Sequence, residues 1–230
     1  MQLILKKILY WSEVWTFLIP LTVFLIYKLG DKRMKIVLWY VISSFVILFL
    51  ANYIAWNNDK VPEAFRNNNI LYNLNTFLKG TLVGGYLVYH PSINKIRFIK
   101  YVFGIYILFV IINFTFWGSI FSVNTVHFSA TTIFLLIICL TFFIHSIMND
   151  EKHSTFKDPA IMISIGISIF ESINFFTYLF LYMFLSDKSF LMFMMKIFMC
   201  SFIVYNIFLA LAFYYGRKKK SILLEKGLAI

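Results

Sequence analysis

Two ionisable residues, Lys79 and Glu171, stand in the middle of long apolar segments of the chain. A charge at the centre of a bilayer costs about 2.5–3.5 kcal/mol on insertion scales unless it faces a partner or water. We therefore expect the Lys79 ammonium and the Glu171 carboxylate to meet where two helices pack together. Such a pair could bind a charged ligand, and ionisable residues inside membrane segments mark functional sites by default. The pair therefore predicts a functional cavity.

Each of these charges belongs to a set of polar side chains with helical spacing. The two sets are Tyr72, Asn75 and Lys79 in one segment and Glu171, Asn174 and Tyr178 in the other. Positions i, i+3 and i+7 lie on one face of an α-helix, so each segment presents a charge, an amide and a phenol. The polar groups on two such faces can form hydrogen bonds with one another. The structural alternative is that these bonds only fix the packing of the helices. Interhelical hydrogen bonds average about 0.6 kcal/mol each, which is a weak reason for a helix to carry a buried charge.

Four further polar residues lie toward the same end of the predicted segments, and all four are candidates for the same site. They are Glu13, Asn52, Asn113 and Lys196. The other half of the segments is much poorer in polar groups. The sequence therefore predicts a polar pocket that lies toward one end of a helical bundle.

The composition indicates the elements that must position these side chains. Of 230 residues, 61% are hydrophobic and 13% are charged, whereas soluble domains are nearer 45–50% apolar and about 25% charged. Apolar runs of about 20 residues recur, as in helical membrane proteins. We predict an all-α, polytopic integral membrane protein that forms one seven-helix bundle. The predicted spans are 11–29, 36–56, 70–89, 98–119, 127–148, 160–185 and 190–215, followed by a short basic tail at 216–230.

The distribution of Lys and Arg predicts the orientation of the bundle. Of the 21 basic residues, fourteen flank one side of the predicted membrane region and five flank the other. The positive-inside rule then places the N-terminus outside and the C-terminus in the cytoplasm. The net charge of +11 has the same origin. It indicates attraction to an anionic inner leaflet rather than to nucleic acid. The alternative role of the basic tail is that of a docking peptide for a cytoplasmic partner.

Known catalytic and metal-binding motifs are absent from the sequence. The four histidines lack the HxxxH and HExxH spacings, and no Cys-x-x-Cys occurs. A zinc site is therefore not expected. There is no nucleophile elbow, Walker loop or dinucleotide-binding turn. Cys139 and Cys200 fall in apolar spans, where free thiols behave as small hydrophobes. We expect no metal and no cofactor.

Several residues predict how the helices begin, bend and pack. Asp158 before Pro159 predicts a helix start with an N-cap, and Pro20 predicts a kink in the first span. Gly216 is expected to separate the last span from its basic tail. Gly80 and Gly84 are spaced for close approach of a neighbouring helix.

Two stretches, LYNLNTFLKG in the third span and DPAIMISIGISIFESINFF in the sixth, resemble a group of small seven-helix bacterial membrane proteins. These are similar in outline to the seven-helix sensing regions of some bacterial receptors. The resemblance covers most of the chain and implies a multi-pass protein of the bacterial cytoplasmic membrane. Such proteins often have a carboxylate in the third span, where this chain has Lys79.

These features favour a sensory, receptor-like protein that binds a small ligand in an outward-facing pocket and signals through a cytoplasmic or membrane partner. Lys79 would pair with an anionic group of the ligand, and Glu171 would hold Lys79 in the empty state. The asparagines and tyrosines would orient the ligand. Binding must favour one of two helix arrangements, because a ligand with equal affinity for both shifts nothing.

Three other classes remain open. A transporter or channel would use the pair for coupling near the midplane and needs a polar route to the cytoplasm. An enzyme acting on a lipid or isoprenoid would use Glu171 as acid or base. A structural or assembly role needs no ligand. A retinal protein is disfavoured, because Lys196 lies too near the outer end and the third span offers a lysine rather than an acid.

Overall fold

The computed structural model describes residues 11–27, 32–63, 66–148, 157–180 and 188–227, and this part of the chain contains helices and no strand. We number seven helical segments in chain order. They are α1 (Ser12–Tyr27), α2 (Met34–Trp56), α3 (69–88), α4 (Arg97–Trp117), α5 (Thr125–Met148), α6 (Pro159–Phe180) and α7 (Lys188–Gly227). Each overlaps one of the seven predicted spans.

Six of the helices form a closed ring, and the seventh packs on its outside. The order of the helices around the ring is α1, α2, α3, α5, α6 and α7, and each helix contacts the next. Helix α7 contacts α1 and so closes the ring. Helix α4 packs against α3 and α5 only along one side, and it is the least buried of the long helices. The axis of the ring is therefore surrounded by six helices.

Five helices are long and apolar enough to cross a membrane: α2, α4, α5, α6 and α7. Helix α1 is shorter, and α3 carries several polar residues. The outward face of α4 is a stripe of exposed side chains at helical spacing, formed by Phe98, Tyr101, Ile105, Leu108 and Ile111. An apolar face of this kind needs an apolar surrounding, which indicates a multi-pass membrane protein.

Helix α1 is broken one turn before Pro20. It consists of Ser12–Trp15 and Leu18–Tyr27, with a turn at 16–17 between them. Pro20 has no backbone N–H to donate to the carbonyl of Thr16, and that carbonyl instead accepts from the N–H of Ile19 at 3.1 Å. The predicted bend in the first span thus takes the form of an interrupted helix.

The last helix is longer than predicted. It continues through Gly216 to Gly227, so the residues from 216 to 227, predicted as a tail, extend α7 instead. One glycine costs a helix only about 1 kcal/mol, and the following Lys, Leu and Glu residues are good helix formers. The start of α6 agrees with the prediction, because Asp158 Oδ1 accepts from the N–H of Ala160 at 2.9 Å.

Two helices contain a π-helical turn, which the sequence analysis did not predict. In α3 the turn is Lys79–Val83, and in α4 it is Asn113–Trp117. A π turn places one extra residue in the helix and is often found at functional sites. Both turns begin at a polar residue of the predicted site.

Candidate functional site

The centre of the bundle holds an ion pair between α3 and α6. The Lys79 ammonium contacts Glu171 Oε1. Glu171 is fully buried and Lys79 is 8% exposed. The second carboxylate oxygen, Oε2, accepts a hydrogen bond of 2.6 Å from the Thr132 hydroxyl of α5. The ammonium also lies 4.9 Å from the centroid of the Phe170 ring. Three helices are therefore joined through one buried carboxylate.

Local packing at the π turn fixes the position of Lys79. Gly80, the next residue, lies so close to Tyr106 of α4 that a Cβ atom there would overlap the phenol. The Tyr106 hydroxyl is 3.1 Å from that of Thr131 on α5. Gly84 faces Phe134 of α5 in the same way. The predicted close approach of neighbouring helices to the two glycines is thus present, and it involves α4 and α5.

A cavity of about 240 Å³ lies in the ring next to this pair. Its lining comes from all six ring helices and the loop between α4 and α5: Glu13, Tyr40, Leu48, Asn69, Tyr72, Asn75, Thr76, Lys79, Val123, Phe128, Phe170, Phe198 and Phe202. Val123 is 53% exposed, whereas Tyr40, Phe170 and Phe202 are buried. The cavity therefore has a mouth, at the end of the bundle that carries Val123, and a closed floor near Lys79.

Glu13 of α1 lies on the wall of this cavity near the mouth. Its Oε2 accepts a hydrogen bond of 3.3 Å from the Tyr72 hydroxyl, and the Asn52 amide interacts with the same carboxylate. No basic side chain contacts it in the described ranges. The cavity thus contains two ionisable groups, Lys79 at the floor, which is paired with Glu171, and Glu13, which lacks a cationic partner there.

The structure brings together four of the ten predicted site residues as lining of the cavity: Glu13, Tyr72, Asn75 and Lys79. Glu171 joins them through its contact with Lys79. The face predicted from the spacing of Tyr72, Asn75 and Lys79 therefore does point to one space. The Oδ1 atom of Asn75 is buried and has no hydrogen-bond partner among the described residues, so it is available to a ligand.

Four of the other five predicted residues do not line the cavity, although the Asn52 amide interacts with Glu13 on its wall. Asn174 is fully buried, and neither atom of its amide has a hydrogen-bond partner in the part of the chain that the structure describes. Asn52 donates to the Leu48 carbonyl of its own helix at 3.0 Å. Asn113 is buried at the start of the π turn in α4, and Lys196 is exposed on α7. Tyr178 belongs to α6, and its side chain lies outside the described residues.

Asparagines near the start of α3 hold the loop between α4 and α5 over the mouth. Asn73 Nδ2 donates to the carbonyls of Ile120 and Ser122 at 2.8 and 2.9 Å. Asn67 and Asn69 both donate to the carbonyl of Phe121, at 2.5 and 3.2 Å. These bonds set the position of the loop that supplies Val123 to the cavity. We call residues 118–124 the mouth loop.

Sequence reasoning missed Thr132, the aromatic lining of the cavity and the role of Asn73. A threonine within an apolar span gives little signal, because its hydroxyl normally bonds a carbonyl of its own helix. Phenylalanine within an apolar span gives no signal of a cavity either, because it is equally typical of a lipid-facing surface, yet Phe128, Phe170, Phe198 and Phe202 line the cavity. No cluster of three or more His, Cys, Asp or Glu side chains that could hold a metal ion occurs in the described ranges.

No model of a known protein family matches the chain. Searches of curated proteins and of solved structures likewise gave no match. The function of the chain therefore has to be inferred from the geometry of the cavity.

Proposed function

We propose that this chain is a sensory, receptor-like protein of the bacterial cytoplasmic membrane, with seven membrane-crossing helices. It would bind a small ligand in the cavity and signal through a membrane or cytoplasmic partner. The observation that supports this proposal most directly is a cavity with an exposed residue, Val123, at one end and buried side chains at the other, with polar groups on its wall and a buried ion pair beside it. Small-molecule sites typically combine an apolar lining with a few placed polar groups.

The positive-inside rule orients the mouth outward. The short connections at the opposite end of the bundle and the extension of α7 carry most of the Lys and Arg residues, so that end is assigned to the cytoplasm. The mouth loop then faces the outside. A ligand would enter from there and reach Asn75 and Lys79.

The ion pair offers a route from the cavity to the rest of the bundle. Lys79 faces the cavity, whereas its partner Glu171 also binds Thr132 on α5. A ligand that changes the position of the ammonium alters contacts that join three helices. We propose that the π turn beginning at Lys79 lets α3 change between two helical registers. Such a bistable element is what a ligand needs in order to shift a conformational equilibrium.

Packing on the cytoplasmic side of the floor weighs against transport. The side chains there include Ile163, Ile167, Leu209 and Phe213, all buried and apolar, and the polar side chains among them, Ser164 and Asn206, are fully buried as well. A transporter needs a polar path on both sides of its site.

Cysteine accessibility tests the one-ended cavity. In a Cys200→Ser background, which keeps the buried Cys139, Thr76→Cys places a thiol on the cavity wall and Leu209→Cys places one below the floor. Both are treated with membrane-impermeant trimethylammonium-ethyl methanethiosulfonate, in spheroplasts and in inverted vesicles. We expect modification of Thr76→Cys from outside only and none of Leu209→Cys. Reaction of Leu209→Cys from the cytoplasmic side would favour transport, and an unreactive Thr76→Cys would refute the outward cavity.

The same adduct tests signalling, because it acts as a tethered ligand. Hydrogen exchange is compared before and after modification of Thr76→Cys. A receptor should show changed amide exchange at the cytoplasmic ends of α6 and α7, around residues 159–163 and 210–216. Changes confined to the residues that line the cavity would contradict the receptor proposal and support a structural role.

A further inference from the structure

The charges around the cavity indicate which class of ligand it takes. Three ionisable side chains belong to the site: Lys79, Glu171 and Glu13. Lys79 and Glu171 are in direct contact and neutralise one another. The Glu13 carboxylate is left with two neutral partners, the Tyr72 hydroxyl and the Asn52 amide. The described part of the site thus has one acidic side chain more than it has basic ones.

A carboxylate in an apolar surrounding is costly to keep charged without a counter-ion. Glu13 lines the cavity, so a ligand can supply that counter-ion. An anionic ligand group, as expected from the sequence, would instead have to displace Glu171 from Lys79. It would strand a carboxylate that is fully buried and does not line the cavity.

The remaining wall also suits a cation. Six aromatic side chains line the cavity: Tyr40, Tyr72, Phe128, Phe170, Phe198 and Phe202. Ring faces attract ammonium groups, and aromatic cages are a common means of binding amines. The protein already uses this contact at the floor, where the Lys79 ammonium lies 4.9 Å from the centre of the Phe170 ring. The rings of Phe198 and Phe202 lie 5.5 and 5.3 Å from that of Phe170, which extends the same surface along α7.

We propose that the ligand is a small organic cation, an amine or quaternary ammonium compound, whose charged group is held by Glu13 against the aromatic wall. This inference rests on the proposed function and specifies its ligand. At about 240 Å³ the cavity is smaller than the 300–1,000 Å³ of sites for drug-sized molecules, so the ligand has few heavy atoms. Asn75 Oδ1, which is unbonded among the described residues, offers it an acceptor.

The test compares two thiol reagents of matched length and opposite charge at Thr76→Cys in the Cys200→Ser background. They are the trimethylammonium-ethyl and sulfonato-ethyl methanethiosulfonates. The control is Asn58→Cys, an exposed position at the same end of the bundle but outside the cavity. The ratio of cation rate to anion rate at Thr76→Cys is divided by the ratio at Asn58→Cys, which removes the intrinsic difference between the reagents.

Thr76 follows Tyr72, the donor to Glu13, by one helical turn, and side chains four residues apart on a helix lie about 5–6 Å from one another. At about 6 Å an ionised Glu13 favours the cation over the anion by about tenfold even at the dielectric constant of water, and by more in a less polar site. We expect a normalised ratio of about ten or more, and we expect Glu13→Gln to return it to within about threefold of the control. A normalised ratio of one or less with Glu13 intact would overturn the proposal without any need for the Glu13 variant to fold. If the preference for the cation persists in Glu13→Gln, Glu13 is not its cause, and the proposal is equally overturned.

The two proposals fail in different ways. If neither reagent modifies Thr76→Cys, the open cavity itself is refuted, and the receptor proposal fails with it. If both reagents modify it at the control ratio, the cavity stands and only its selectivity for cations is wrong.

Discussion

Replacing Lys79 with methionine removes the ammonium that neutralises Glu171 and keeps an unbranched side chain in its place. The carboxylate would remain in a site where its side chain is 1% exposed, with the Thr132 hydroxyl as its remaining described partner. Removing one member of a buried ion pair costs about 3–5 kcal/mol. Loss of the contact with the Phe170 ring contributes a further 0.5–2 kcal/mol, approximately. We expect Lys79→Met to lower the free energy of unfolding by at least about 3 kcal/mol.

The reverse single change should be milder. In Glu171→Gln the ammonium still faces the cavity, where water can reach it, and still lies over Phe170. The free energy of unfolding should then fall by about as much as one hydrogen bond to a charged group contributes, about 1.5–3 kcal/mol. In the double variant no charge is stranded, and the side-chain carbonyl of the introduced glutamine can accept from Thr132. Its free energy of unfolding should therefore lie within about 1.5 kcal/mol of the wild type, because replacing both members of a buried pair is often close to neutral.

The assay is reversible unfolding of the four proteins in mixed micelles by titration with sodium dodecyl sulfate, followed by tryptophan fluorescence. The coupling free energy is obtained from the double-mutant cycle. We expect at least about 3 kcal/mol, because the two single losses together exceed the loss in the double variant by that amount. A coupling free energy below about 0.5 kcal/mol, with the single and double variants equally stable, would mean that the two residues are not energetic partners. The account of the floor of the cavity would then be wrong. A larger loss in Glu171→Gln than in Lys79→Met would refute the argument that the cavity hydrates Lys79.

Two further predictions concern the packing around the site. Gly80→Ala should lower the free energy of unfolding by about 1–3 kcal/mol, because the added Cβ atom overlaps Tyr106. Gly85→Ala is the matched control, since the nearest atom to a Cβ there is 3.7 Å away. Equal losses of stability in the two variants, measured in the same unfolding assay, would contradict the proposed contact. Asn73→Ala removes two hydrogen bonds to the mouth loop, each worth about 0.5–1.5 kcal/mol, and should raise the rate of chymotrypsin cleavage in that loop by about tenfold in spheroplasts. The control is Asn57→Ala, because among the described residues the Asn57 side chain bonds only a carbonyl of its own helix. This variant should leave the cleavage rate unchanged. Equal cleavage rates for the two variants would show that Asn73 does not hold the loop.

The central ion pair could be predicted because its physical basis is simple. A lysine and a glutamate at the middle of apolar segments each need a partner, and few other charges lie at that depth. The helical face through Tyr72, Asn75 and Lys79 followed from spacing alone, and all three residues line the cavity. The roles of Asn73 and Asn75 could not be separated, because a sequence does not show which face of a helix turns to the axis of a bundle and which to a loop.

Other parts of the site carry no signal in a single sequence. Thr81, Thr115, Thr141 and Thr177 donate to carbonyls of their own helices, whereas Thr132 donates to a carboxylate on another helix. Residue type does not distinguish these cases. The π turns arise from packing between helices, and the six aromatic side chains of the cavity have the same composition as a lipid-facing surface. These features depend on tertiary contacts that only the folded chain defines.

The separation of Lys79 and Glu171 along the chain has a consequence for how the protein is made. At about 5–20 residues per second, a ribosome reaches Glu171 roughly 5 to 20 seconds after Lys79, which lies about ninety residues earlier. In the proposed seven-span arrangement, α3 would enter the membrane during that interval with a charge at its centre and no acid to meet it, at a cost of about 2.5–3.5 kcal/mol. The arrival of the sixth helix would remove that cost. Chains that stop before α6 should leave α3 poorly inserted and open to membrane quality control, so an early stop codon removes more of the bundle than the helices that follow it.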